Sequence, residues 1–213
     1  GLRVCSVNLL PEHKAVTEGD VEIVLSDASS LRMQVNGLPL YLRPRSFFQT
    51  NTAVAAALYA QARSWARDLG PRSIWDLYCG VGGFALHVAD AADSVIGIES
   101  GAEAVLGAEQ SRSECSFERV RFSVADAADP AQLPQPGPDL LIVNPPRRGI
   151  GAPLCGWIEG ARVKHLIYSS CNVQTLAQDL LRLPGFIARE ARLFDMFPHT
   201  RHSEVAVLLS RRA

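Results

Sequence analysis

Ile74–Phe84, IWDLYCGVGGF, is the stretch whose reading decides the fold. Ile74–Tyr78 is apolar, aromatic and acid-tipped, and reads as a short buried strand. Gly80, Gly82 and Gly83 follow at once, and Phe84–Ala91 has helical composition. A strand, a glycine loop and a helix make a nucleotide cradle. Glycines let the backbone turn sharply and approach a ligand, and the helix N-terminus offers unpaired N–H groups. Gly80 to Ala85 even satisfies the G-x-G-x-x-A form of a dinucleotide site, so the loop alone does not say which nucleotide is held.

Moving outward, short strands alternate with helices. Ser94–Glu99 reads as a second strand and Gly101–Glu114 as a helix. Val120–Asp126 is a third strand, followed by a proline-rich loop over 128–138. Asp139–Val143 is a fourth strand, and Gly151–Gly160 a short helix. His165–Cys171 is a fifth strand, backed by a helix over Val173–Leu183. This alternation predicts an α/β, Rossmann-like parallel sheet with right-handed crossovers. A long strand over Phe186–Pro198 and a last one over Val205–Ser210 would close it with an antiparallel hairpin. Upstream, Gly70-Pro71 ends a helix whose apolar stripe is Val54, Leu58, Ala62, Trp65 and Leu69, with Thr50, Asn51 or Thr52 as its cap.

Residues 1–45 read as β-structure. Leu2–Leu10 and Val21–Ser26 are strand-like, and Leu31–Val35 and Leu38–Leu42 flank the hairpin signal Asn36-Gly37. We therefore expect a β-rich segment over 1–45 and an α/β domain over 46–213. The abrupt start in a strand pattern leads us to expect a longer protein upstream.

Composition bounds the function. Hydrophobic residues at 47% and charged residues at 20% describe an ordinary globular protein. No apolar run approaches the roughly 18 residues of a membrane span. The five cysteines (Cys5, Cys79, Cys115, Cys155, Cys171) are scattered without CxxC spacing, which disfavours a disulfide scaffold or zinc site and makes the cytoplasm the expected compartment. Residues 1–143 hold 11 Lys/Arg against 17 Asp/Glu, whereas residues 144–213 hold 10 against 5. That basic final third suits phosphates, or is simply an uneven solvated surface.

Ligands in parallel sheets bind at the carboxyl ends of the strands. Asp76 and Tyr78, Glu99, Asp126 and Asn144 all stand at such ends. Glu99 lies 23 residues beyond Asp76, where ribose hydroxyls are held in these folds. Gln49, in Arg43–Asn51 (RPRSFFQTN), puts an amide beside Phe47 and Phe48 just before a helix, although the two rings also read as anchors. In Asn144–Gly149, NPPRRG, prolines fix the backbone and Arg147 and Arg148 suit phosphates at a cleft mouth. Four of the cysteines read as buried small hydrophobes. Cys171 ends a strand ahead of a helix N-terminus, a position that favours the nucleophilic thiolate. Glu204 reads as a turn residue that either reaches the cleft as a general base or is merely solvated.

Together SFFQTN, DLYCGVGGF, GIE, NPPRRG, YSSCN and DMFPHTRHSE, in that order over residues 46–204, resemble the class I, S-adenosylmethionine-dependent RNA (uracil-C5) methyltransferases. LRVCSVN, NPPRRGIG and DMFPHT, with Asn144 where sister enzymes carry Asp, resemble the branch acting on a uridine of 23S ribosomal RNA. The resemblance implies that S-adenosylmethionine meets Gln49, Tyr78, Glu99 and Asn144, with Asp76, Gly80, Gly82 and Asp126 around it. It implies Cys171 as nucleophile and Glu204 as the base at C5, with Arg147, Arg148 and Phe48 toward the RNA. It implies that residues 1–45 are the remnant of a central or RNA-binding region and that residues 46–213 are the catalytic domain; no obligate protein partner and no membrane are expected. A [4Fe–4S] cluster is expected only in the N-terminal region of longer relatives, because its cysteine spacing is missing here.

Rival readings fit less well. Cytosine-C5 enzymes usually place their nucleophile after the proline where this chain has NPPR. Amino-methylating enzymes place an aromatic where Arg147 stands. A nicotinamide-dependent oxidoreductase leaves Cys171 and NPPRRG unexplained. A tRNA substrate by the same chemistry, or a cofactor- and RNA-binding module with little turnover, remain as alternatives.

Overall fold

The computed structural model describes residues 1–11, 19, 21–200 and 202–212. Its strands are β1 (Ser6–Leu9), β2 (Val21–Val24), β3 (Leu31–Val35), β4 (Leu38–Leu42), β5 (Ser73–Leu77), β6 (Ser94–Glu99), β7 (Val120–Val124), β8 (Leu140–Val143), β9 (His165–Ser170), β10 (Phe186–Phe194) and β11 (Glu204–Arg211). The helices are α1 (Thr52–Leu69), α2 (Gly83–His87), α3 (Ala102–Glu114), α4 (Gly151–Gly160) and α5 (Val173–Leu181). Seven strands form one sheet in the order β10-β11-β9-β8-β5-β6-β7. The pairs from β9 to β7 are parallel, and β11 runs antiparallel to both β9 and β10. The anticipated parallel sheet with a C-terminal antiparallel hairpin is what forms.

The central strands are largely apolar because they are buried on both faces. Successive side chains point to opposite faces. Ile74, Leu140, Ile142 and Ile167 join one core with Leu58 and Trp65 of α1. Trp75, Leu141, Val143, Leu166 and Tyr168 join the other with Leu154 and Ile158 of α4 and Leu176 of α5. Each fully buried Leu or Ile contributes about 1.5–3 kcal/mol of transfer free energy. The two helical layers are thus fixed to the sheet, and its strand ends are held in register.

Asn51 caps α1, its side chain accepting from Val54 N at 3.3 Å, and Gly70 ends the helix in the left-handed region. The β3–β4 hairpin docks on α3. Ser111 Oγ accepts from Tyr41 N at 3.0 Å, and Glu114 accepts from the Tyr41 hydroxyl at 2.6 Å and from Arg32 at 2.6 Å. Gly107 makes this possible, since a Cβ there would collide with Tyr41 O.

Several boundaries differ from expectation. The strand anticipated over Leu2–Leu10 is only Ser6–Leu9, and that over Val21–Ser26 stops at Val24. Val120–Asp126 stops at Val124, so Asp126 lies just past the strand. The helix anticipated to Ala91 stops at His87. The strand anticipated to Pro198 ends at Phe194, where pairing with β11 runs out. Cys5 and Cys115 are half-buried rather than core residues, whereas Cys79 and Cys155 are buried; all five thiols are free. Arg201, within the anticipated turn 199–204, lies outside the described residues.

Candidate active site

A cavity of about 600 Å³ opens at the carboxyl ends of β5, β6, β8 and β9. Every candidate residue from the sequence lines it except Asp76 and Gly82. Those two lie behind the surface. Gly82 holds φ +84° and caps α2. Asp76 is fully buried, and its Oδ2 accepts from Ala85 N at 2.9 Å, so it ties the glycine loop to β5. Burial pushes its carboxyl up to about 8, against the opposing pull of that hydrogen bond.

The loop is strapped a second time from β6. Glu99 Oε2 accepts from Gly80 N at 3.1 Å, and its Oε1 accepts from Gly101 N at 2.8 Å and Ser100 Oγ at 3.1 Å. Asp126 Oδ1 accepts from Ala128 N at 2.9 Å. Both carboxylates keep further lone pairs for hydroxyl donors in the cavity. Tyr78, at φ +61°, turns the chain out of β5, and burial pushes its phenol up to about 12. Gln49 is 8% exposed and contributes its amide to the lining ahead of α1.

On the opposite side stand Cys171 and Glu204. Cys171 follows β9 directly and is half-buried. Asn172 caps α5, its side chain accepting from Gln174 N at 3.1 Å. Glu204 is not a turn residue. It is the first residue of β11 and only 2% exposed. In the β9–β11 register Ser170 opposes Val205 and Ser169 opposes Ala206. Carried one residue further, that register sets Cys171 opposite Glu204. Ser169 Oγ donates to Glu204 Oε1 at 2.5 Å. Burial pushes the Glu204 carboxyl up to about 7, with the Ser169 hydrogen bond pulling it back down.

Arg147 and Arg148 are exposed at the cavity mouth. Arg147 Nη2 donates to His202 Nδ1 at 2.8 Å, and the His202 ring meets Phe197 edge-on at 6.4 Å. Sequence reasoning missed Tyr59 and Phe197 as lining residues and Ser169 as the partner of Glu204. Tyr59 falls outside the apolar stripe read for that helix, and Ser169 entered only as part of YSSCN. A larger concavity of about 790 Å³ lies between the Asn36-Gly37 turn and α1, away from the strand ends. Its Arg63 and Arg67 both pair with Asp90, so they offer little to a ligand.

Comparison with known proteins points to one group of relatives. A family model described as tRNA (Uracil-5-)-methyltransferase matches residues 133–212. The protein named 23S rRNA (uracil(747)-C(5))-methyltransferase RlmC from Halothiobacillus neapolitanus is 50% identical over 215 residues, covering 99% of this chain and 56% of the relative. Its namesake from Escherichia coli K12 is 48% identical over 211 residues, with the same coverage. The chain belongs to the RNA uracil-C5 methyltransferase family. It spans about half the length of the curated relatives it matches.

Among solved structures, a family member of known structure is the Pyrococcus abyssi tRNA (uracil-54, C5)-methyltransferase in complex with S-adenosyl-L-homocysteine. It superposes with a TM-score of 0.82 at 30% identity, covering 97% of this chain and 50% of that one. Trm5b from the same organism shares only the fold, at 14% identity and a TM-score of 0.66. The sheet is therefore the class I methyltransferase sheet, with β10–β11 as its antiparallel end. Among the described residues no helix is long and apolar enough to cross a membrane.

Proposed function

We propose that this chain transfers a methyl group from S-adenosylmethionine to C5 of a uridine in 23S ribosomal RNA. The observation that carries the reading is the convergence of Cys171 and a buried Glu204 on the cavity that the glycine loop also lines. The 48–50% identical relatives, named for that rRNA reaction, favour it over a tRNA substrate.

The cavity's donor set suits the cofactor. Glu99 and Asp126 offer carboxylate oxygens to ribose hydroxyls and to a cationic ligand, while Gln49 and Asn144 offer amides. Tyr78 and Gly80 shape the floor, with Asp76 and Gly82 holding the loop from behind. Bound there, S-adenosylmethionine supplies an electrophilic methyl group on its sulfonium.

C5 of uracil is a weak nucleophile. Cys171 supplies what it lacks: its thiolate forms a bond to C6, and the C5=C6 electron pair moves toward the carbonyl as an enolate. C5 then forms its bond to methyl as the methyl–sulfur bond breaks, the bonding pair staying on sulfur. Glu204 takes the C5 proton, the electron pair re-forms C5=C6, and Cys171 leaves as thiolate. The base must be unstacked to present both C6 and C5, so the substrate is a looped or splayed uridine. Arg147, Arg148 and Phe48 face it from the mouth.

In this reading residues 46–213 carry the chemistry, and residues 1–45 belong to an RNA-facing region continued in the longer relatives. The same reading puts the protein in the cytoplasm, acts on RNA without an obligate protein partner, and leaves any [4Fe–4S] cluster outside this chain. The test is 5-fluorouridine RNA with S-adenosylmethionine. Fluorine is not removed as a proton, so a covalent adduct is expected at the mass of protein plus RNA plus methyl, and none with Cys171→Ala. An adduct that persists in Cys171→Ala would sink the mechanism.

A further inference from the structure

We infer that Asp179 is a positioning residue for this reaction: from α5 it fixes the 144–150 loop, and with it Arg147 and Arg148, relative to Cys171. The inference rests on the methyl transfer to RNA proposed above.

Asp179 is 2% exposed and sits on the helix that starts two residues after Cys171. Its Oδ2 accepts from Ile150 N at 2.8 Å and from the Tyr168 hydroxyl at 2.8 Å. Its Oδ1 accepts from Arg182 Nη1 at 3.1 Å and lies 3.8 Å from Cys155 Sγ. A buried carboxylate is costly unless its lone pairs are filled, and here donors reach both oxygens. One of those donors is the backbone at the end of the arginine loop.

The first turn of α5 holds the same loop from its middle. Asn172 Nδ2 donates to Arg147 O at 3.0 Å, and Thr175 Oγ1 donates to it at 3.1 Å. At its other end the loop leaves β8, where Asn144 N donates to Leu77 O at 3.4 Å. The two arginine side chains therefore project from a segment clamped to the sheet on one side and to α5 on the other. Gly149 fits this clamp twice over. Its φ is +78°, and a Cβ there would collide with Asp179 Oδ2. The glycine after Arg147-Arg148 lets the carboxylate approach, so sequence and clamp explain each other.

The geometry assigns Asp179 to the RNA side. Its contacts fall on Ile150, Tyr168, Arg182 and Cys155 of α4, and it does not line the cavity with Glu99 or Gly80. Loss of the clamp should move Arg147 and Arg148 while leaving the glycine loop in place. A displacement of about 1 Å costs up to roughly 100-fold in rate.

The experiment compares wild type, Asp179→Ala, Asp179→Asn and Gly149→Ala. S-adenosylhomocysteine binding is followed by calorimetry, methylation kinetics are measured on a uridine-containing RNA hairpin, and hydrogen exchange is read at the Ile150 amide. Asp179→Ala is expected to raise the KM for RNA by about 10- to 100-fold and to deprotect Ile150, with the dissociation constant for S-adenosylhomocysteine within about twofold. Asp179→Asn keeps an oxygen for the Ile150 amide and recovers most of both effects. Gly149→Ala reproduces the KM defect from the loop side, which covers the case in which Asp179→Ala does not fold. An unchanged KM, or a loss of S-adenosylhomocysteine binding in parallel with KM, would overturn the assignment. If wild type methylates no RNA, the proposed function fails instead. Ile150 protection then still decides whether the clamp exists.

Discussion

Ser169 and Glu204 meet diagonally across the antiparallel seam, with Ser169 Oγ 2.5 Å from Glu204 Oε1. The contact occupies one carboxylate oxygen and leaves the other to the cavity. It also fixes the ionisation of the proposed base. Glu204 stands at about 7, raised by burial and lowered by Ser169. As a base Glu204 must be ionised, so proton release from C5 should rise with pH through about 7. Ser169→Ala removes a partner of the charged form and should move that limb to higher pH. Tritium release from 5-tritiated uridine RNA, measured from pH 5.5 to 9, reads both. A limb that does not move in Ser169→Ala would separate Ser169 from the base.

Stability should carry the same signature with the opposite slope. Asp76 stands at about 8 and Glu204 at about 7, both above the ordinary carboxylate range. A group whose folded pKa is raised holds its proton more tightly in the native state. Its contribution is complete below the unfolded value of about 4 and is lost as pH rises through the folded value. Melting temperature should therefore decline from about pH 5 to pH 8 through these two groups. Asp76→Asn and Glu204→Gln should each flatten the decline. Thermal melts at three pH values check this, and parallel curves for wild type and both variants would refute it.

Gly83 faces Tyr59 closely enough that a Cβ would stand 2.5 Å from the phenol oxygen and 2.6 Å from its ring carbon. Gly83→Ala should destabilise by about 1–3 kcal/mol, as overpacked sites do. In a Tyr59→Ala background the cost should largely vanish, because the two changes share one contact. Urea unfolding of the four proteins closes the cycle; additive effects would show that the clash is relieved elsewhere.

Arg211 closes the end of α4. Its guanidinium donates to Ile158 O at 2.7 Å, Ala161 O at 2.9 Å, Val163 O at 2.7 Å and Glu159 O at 3.2 Å, and lies 4.6 Å over the Phe186 ring. Carbonyls at a helix C-terminus lack internal partners and favour a cation. Arg211→Met should lose roughly 2 kcal/mol or more, since it strands several buried acceptors. Cofactor affinity should be unchanged, because Arg211 does not line the cavity. Chemical denaturation and calorimetry together test the pair of statements.

Most of the sheet was legible because its signals are local. Alternation of short apolar runs with helical stretches announces parallel strands, and acid-tipped strand ends announce the ligand side. Features that depend on partners far along the chain were not legible. Glu204 was read as a turn residue because His199–Ser203 is polar. Only pairing with Phe194 and the seam with β9 draw it into β11. Asp76 was read as facing the ligand because its position is right by count. Strand alternation instead turns it toward Ala85 N. Asp179 resembled any polar helix residue, since its acceptors matter only once Ile150 and Tyr168 come to it from other elements.

The seam between β9 and β11 separates two tasks. Cys171 and Glu204 are brought opposite each other by strand register, not by the segment 195–203 that joins β10 to β11. A residue added to or removed from that connection should leave Cys171 and Glu204 opposite each other. A slip of the seam by one residue would turn Glu204 to the far face. The connection, which carries Phe197 at the cavity and His202 beside Arg147, is thus free to change in sequence while the pairing of Cys171 with Glu204 stays constant.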